Sequence, residues 1–333
     1  MLIRILKTDH YSNFFILFFT TILLWTSAWL DPIEFYFFPG EASMPLYHPI
    51  DNLFLGTTSL VVAIAGAIMT LINALFIYLL NSKFLFMKTR TYLPSFLYIV
   101  FTSSVKEYNT LLPSQFATFI IIIGIYYIFK TYQSEGAIGY ILKASILLSL
   151  ASLFYLPAIL FLPIIWISIL VLRQKFNWRH LAIPIIGVII PWYICVSIYY
   201  LQDNLYSLKN ILRLNTLSTN IFLSHKAIIF QQGFIIALFV IWGILSVIRR
   251  YGLKKEASRK YLNILIWMIL CSISIFLLVP TCSYELITIA AIPLSYLTAH
   301  IFQFNTSSFW YNILFALFVA TIVASPYFHV ITL

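Results

Sequence analysis

Eleven apolar stretches divide this chain, and the basic residues between them fall almost wholly on alternate connections. A bilayer core admits only segments whose backbone groups are satisfied internally, so such a chain can form little besides a bundle of membrane helices. The stretches run at 12–30, 53–80, 91–104, 112–130, 138–154, 157–172, 181–201, 227–248, 261–279, 286–302 and 309–326. Hydrophobic residues make up 62% of the chain and charged residues 9%, with a mean hydropathy of +0.97. A soluble chain of 333 residues needs far more polar surface than that. The fold expected is all-α, a polytopic transmembrane helical bundle of about eleven spans. It forms a single integral membrane domain over 1–333, with no soluble domain.

Charge placement orients the bundle. Fifteen of the 20 Lys and Arg fall on one set of loops, only Lys106, Lys209, Arg213 and Lys226 fall on the other, and Lys143 sits inside a stretch. The basic-rich side is the cytoplasm, so the N-terminus is expected inside and the C-terminus outside. This clustering in short loops accounts for the net charge of +10 without nucleic acid as a partner. Cys195, Cys271 and Cys282 have no C-x-x-C spacing and read as apolar fillers. Thr26-Ser27-Ala28 faintly resembles a cleavage site, but the first stretch is expected to be retained as a signal anchor.

Stretch length carries further information. The 53–80 run is long enough to tilt or project from the bilayer, whereas 91–104, 138–154 and 157–172 are short. Short paired helices must hide their loop end within protein or a water-filled cavity, and the Tyr155 junction is expected to be covered in this way. The two long outer loops are 31–52 and 202–226. In the second, Leu205, Leu208, Ile211 and Leu212 recur at helical spacing, with Lys209 and Arg213 on another face, which predicts an interfacial helix.

Candidate chemistry concentrates in the first outer loop, Asp31-Pro-Ile-Glu-Phe-Tyr-Phe-Phe-Pro-Gly-Glu41. Carboxylates shielded by aromatic rings acquire raised pKa values and can act as a base or bind a metal. The alternative is an acidic loop beside an interfacial aromatic belt. Glu285, at the outer start of the tenth stretch, is the natural acidic partner of that loop. Arg90 reads as a positive-inside anchor or a phosphate contact, Lys143 as a snorkelling side chain, and His300 as a hydrogen-bonded packing residue. No dinucleotide, P-loop, zincin or nucleophile-elbow motif is present. The lack of a central cluster of intramembrane charges places a transporter third among the functional readings.

Thr91-Tyr-Leu-Pro-Ser-Phe-Leu-Tyr98, Leu150-Ala-Ser-Leu-Phe-Tyr-Leu-Pro-Ala158 and Phe176-Asn-Trp-Arg179 resemble an uncharacterised family of polytopic inner-membrane proteins of Bacteroidetes. More remotely, Gly40-Glu41, Pro45-Leu46 and Tyr47 resemble the first outer loop of C-type-fold membrane glycosyltransferases, although the Asp of that pattern is missing. That resemblance implies sugar transfer at the outer face from a polyprenyl-phosphate donor. Asp31, Glu34 or Glu41 would serve as the base or hold a divalent metal. Lys106, Arg213 or Lys226 would neutralise the donor phosphate. The competing expectation is a non-catalytic subunit or scaffold of an envelope complex, with membrane lipids and proteins as its partners.

Overall fold

A computed structural model of the chain describes residues 5–32, 43–87, 89–104, 108–173, 178–217, 226–279, 282, 284–304 and 309–328. The architecture is all-α, with no strand among the described residues. In chain order the α-helices are α1 (Ser12–Leu30), α2 (His48–Phe54), α3 (Ser59–Phe84), α4 (Leu93–Thr102), α5 (Pro113–Lys130), α6 (Ala137–Phe154), α7 (Leu162–Leu172), α8 (Trp178–Leu201), α9 (Leu205–Leu217), α10 (Lys226–Arg249), α11 (Glu256–Leu278), α12 (Ile287–Phe304) and α13 (Phe309–Phe328). Short 3-10 turns precede α7 (Leu156–Phe161), α11 (Tyr251–Leu253) and α12 (Tyr284–Leu286). Among the described residues, seven helices are long and apolar enough to cross a membrane, and four apolar helices are shorter. Together they occupy the eleven stretches seen in the sequence, as befits a multi-pass membrane protein.

Proline and glycine set the helix ends. The 53–80 run does not continue as one helix, because Gly56 adopts φ 82° and ends the chain's climb after Phe54. Residues before it form the seven-residue α2, opened by Pro49 in its first turn, where the missing N–H costs nothing. Pro94, Pro113 and Pro163 open α4, α5 and α7 in the same manner.

α12 is the axis of the bundle. The span from Tyr284 to Gln303 is 89% buried, and it packs against α4, α5, α10 and α11. α1, α3 and α4 form one flank, while α5, α6 and α8 form a second. On the second flank, a Cβ at Gly187 of α8 would come within 2.5 Å of the Ser145 Cβ on α6, so only glycine permits that approach. α8 is the least covered span, 22% buried, and presents Ile186, Ile189, Tyr193 and other apolar side chains outward. One end of the bundle carries Glu285 and the other carries Lys7. At the latter, Lys7 Nζ donates to the Phe302 and Gln303 carbonyls (3.0 Å for Gln303), satisfying acceptors that the end of α12 leaves without helical partners.

The amphipathic helix expected at 205–213 is α9, which docks Leu208 against Leu153 and Cys195, with Arg213 exposed. The Tyr155 junction between α6 and the following 3-10 turn is buried, and the Leu46 N–H donates to the Leu153 carbonyl beside it (3.2 Å). All three cysteines are free thiols.

Candidate functional site

The shortness of α4 produces the site. Its ten residues rise about 15 Å, half of a hydrocarbon thickness of about 30 Å. Irregular backbone then lies within the bundle before α5 begins. Ser103, Ser104 and residues 108–112 of this break are all buried. Irregular backbone is tolerated at such depth only where protein satisfies it, and three neighbours do so. Trp25 Nε1 on α1 donates to Ser103 Oγ (3.0 Å), the Tyr47 hydroxyl before α2 donates to the Leu111 carbonyl (3.0 Å), and Gln115 Nε2 donates to the Thr110 carbonyl (3.3 Å). Gly66 lets α3 press directly on the break, since a Cβ there would lie 2.5 Å from the Thr110 carbonyl oxygen.

Polar side chains fill the space behind the break. Gln115 Nε2 also donates to Thr70 Oγ1 (3.3 Å), and Asn73 Nδ2 donates to the Gln115 carbonyl (3.0 Å). The Thr118 and Thr288 hydroxyls lie 3.1 Å apart, each within reach of a main-chain carbonyl, Ser114 for one (2.7 Å) and Glu285 for the other (2.9 Å). Tyr98, fully buried on α4, interacts with the side chains of both Asn73 and Thr118. One continuous network therefore joins α3, α4, α5 and the start of α12.

Glu285 crowns this network. It sits 1% exposed in the 3-10 turn ahead of α12, flanked by Tyr284, whose ring lies 5.1 Å from that of Tyr108 and whose hydroxyl lies 3.4 Å from Ser104 Oγ. Burial raises the Tyr47 phenol pKa, and the negative charges of Asp51 and Glu285 raise it further. Burial also raises the Asp51 carboxyl, against opposing effects from the His48 charge and a Ser43 hydrogen bond. A buried carboxylate beside phenols can exchange protons with a bound hydroxyl, the chemistry of general acid–base catalysis.

A model of a family of unknown function, DUF6427, matches residues 50–333. The chain belongs to this family. No curated protein and no solved structure matches the chain. The DUF6427 match takes in the break, its polar network and Glu285, and leaves Asp31, Glu34 and Glu41 outside it.

Of the residues singled out in the sequence, the structure of this DUF6427 chain brings Glu285 within electrostatic reach of Tyr47, at the end of the 31–52 loop, as it does Asp51. Asp31 is exposed at the C-terminal end of α1, where its N–H donates to the Ser27 carbonyl (3.3 Å). Glu34, Glu41 and Lys106 lie outside the described residues, as does the side chain of Lys226 at the start of α10. Arg213 is exposed on α9, which packs on α8. Among the described residues, no group of three or more His, Cys, Asp or Glu could hold a metal ion.

Away from this end, His300 pairs with Ser246 (3.0 Å) as a packing residue, Arg90 lies 3.7 Å from Asp9, and Lys143 Nζ sits 5.5 Å from the Tyr127 ring centroid. The residues that sequence reasoning missed are Asn73, Ser114 and Gln115, while Tyr47 and Tyr98 entered it only as parts of motifs. A signal existed, namely Thr70 with Asn73 and Ser114 with Thr118, polar pairs at helical spacing inside apolar runs.

Proposed function

We propose that this protein is an eleven-span enzyme of the bacterial inner membrane, N-terminus cytoplasmic and C-terminus exterior, that transfers a sugar or similar group at the outer face. The donor is a polyprenyl-phosphate-linked group and the acceptor a hydroxyl. The observation that carries the reading is the burial of Glu285 beside Tyr47 and Tyr284, at the end of the bundle that the basic-residue asymmetry assigns to the exterior.

In this reading Glu285 takes the acceptor's hydroxyl proton as the acceptor oxygen attacks the sugar's anomeric carbon. The bond from that carbon to the donor phosphate breaks, and the phosphate leaves with the electron pair. Lys106, Arg213 and Lys226, three of the four basic residues of the outer loops, are the groups proposed to meet the phosphate charge. Asp31, Glu34 and Glu41 border the same loop and bind the acceptor or assist the base.

The test uses full-length protein reconstituted with a polyprenyl-phosphate-sugar donor. Glu285→Gln is expected to lower transfer by about 10²–10⁴-fold while the protein still inserts and accumulates. Transfer unchanged in the variant, or absent from the wild type with a panel of such donors, sinks the enzyme reading and leaves the non-catalytic envelope subunit.

A further inference from the structure

The connected ends of α5 and α6 carry two lysines set among tyrosine rings. Lys130, the last residue of α5, holds its Nζ 4.8 Å from the Tyr126 ring centroid and 5.6 Å from that of Tyr140. Lys143 lies about 9 Å along α6 from its first residue, Ala137, with its Nζ 5.5 Å from the Tyr127 centroid. The Tyr127 and Tyr140 rings stack 6.2 Å apart, so one ring pair links the two ammoniums. All three rings lie within electrostatic reach of Lys130.

Charge sets this cluster apart. Lys260 also lies over a ring, Tyr132 at 5.1 Å, but it pairs with the Glu256 carboxylate over 2.9 Å. Neither Lys130 nor Lys143 forms an ion pair among the described residues, Glu135 of the connecting loop included. A ring face orients an ammonium without neutralising it. Lys143 is exposed, and Gly139, one turn before it, has nothing within 4 Å of an added Cβ, so the surface beside the lysine is open. An ammonium on the outward surface of a membrane span is costly unless it reaches the headgroup layer and an opposite charge.

We propose that this face of α5 and α6 binds the phosphate of an acidic phospholipid of the cytoplasmic leaflet, through Lys130 and Lys143. The Tyr126, Tyr127 and Tyr140 hydroxyls add hydrogen-bond donors for the phosphate oxygens. Charge complementarity selects the occupant: two cations without a carboxylate face the layer where lipid phosphates lie, on the side that the basic-residue asymmetry assigns to the cytoplasm. A zwitterionic lipid brings its own ammonium, which the two lysines repel. α5 starts beside Thr288 and ends at Lys130, so the site lies at the end of the bundle away from Glu285 and is independent of group transfer.

Native mass spectrometry of the full-length protein in detergent, titrated with dioleoyl-phosphatidylglycerol or dioleoyl-phosphatidylcholine, tests the proposal. The wild type is expected to retain one phosphatidylglycerol where phosphatidylcholine is lost. The double variant Lys130→Gln/Lys143→Gln is expected to bind phosphatidylglycerol about tenfold or more weakly. Lys130→Arg/Lys143→Arg keeps the charge and is expected to keep the lipid. Arg249→Gln/Lys255→Gln removes the same charge from exposed positions at the α10–α11 connection and is expected to leave binding unchanged. Equal retention of the two lipids by the wild type overturns the proposal. So does an equal loss in the two glutamine variants, which would mark a diffuse surface field. Displacement of phosphatidylglycerol by inorganic phosphate at equal concentration assigns the lysines to a soluble anion and overturns it as well.

Discussion

The Tyr47 hydroxyl donates to the Leu111 carbonyl over 3.0 Å, joining the end of the 31–52 loop to the break inside the bundle, 64 residues away in sequence. Tyr47 is 3% exposed and Leu111 also 3%. Tyr47→Phe keeps the ring and strands a buried carbonyl, so a loss of about 1–3 kcal/mol is expected rather than the smaller net value of an exposed bond. Denaturant titration of the detergent-solubilised variant measures it. Wild-type stability would show that Leu111 finds another donor.

Gly66 and Gly139 make a matched pair. In an open helical site, glycine to alanine gains about 0.8–1 kcal/mol from helix propensity. Gly139 on α6 has nothing within 4 Å of an added Cβ, so Gly139→Ala is expected to stabilise. At Gly66 the same Cβ would lie 2.5 Å from the Thr110 carbonyl oxygen and 2.9 Å from the Leu111 nitrogen, both backbone atoms that cannot rotate away. Overpacking costs about 1–3 kcal/mol, so the clash outweighs the propensity and Gly66→Ala is expected to destabilise. Melting curves of the two variants should move in opposite directions.

Lys254, in the loop between α10 and α11, has its pKa lowered to about 7 by burial and then by the Arg250 charge. Between about pH 7 and the ordinary lysine value of 10.5, the unfolded chain binds a proton that the folded chain does not. Its contribution to stability therefore rises with pH across that window and is flat below it. Lys254→Met is expected to flatten the rise and to raise Tm most near pH 7, as thermal melts across the window would show. An unchanged slope would assign the pH dependence elsewhere.

The proposed topology is testable by reporter fusions. Junctions after Arg179 and Arg250 should read cytoplasmic, and junctions at Asp203 and Leu333 exterior. A cytoplasmic reading at Leu333 rules out eleven spans, since only an odd number carries the chain from an inner N-terminus to an outer C-terminus.

By itself, the sequence determined where helices form. In lipid every backbone group must be bonded within its own segment, so long apolar runs become helices whatever their neighbours. Pro94, Pro113 and Pro163 mark starts through a local constraint on φ, and α9 announces itself by Leu208 and Leu212 at helical spacing. The break at Gly56 is equally local, yet an apolar run on both sides concealed it. The buried site was decided by tertiary structure alone. Hydropathy cannot distinguish a helix facing lipid, such as α8, from one facing protein, such as α12, because both solvents are apolar. The first outer loop drew attention for its density of charge, while the groups that converge are Asn73 with Gln115, Thr118 with Thr288, and Tyr47 with Glu285. Those pairs are 42, 170 and 238 residues apart, and nothing local couples them. They meet because α4 ends within the bundle, where only polar partners from other helices can satisfy the irregular backbone that follows.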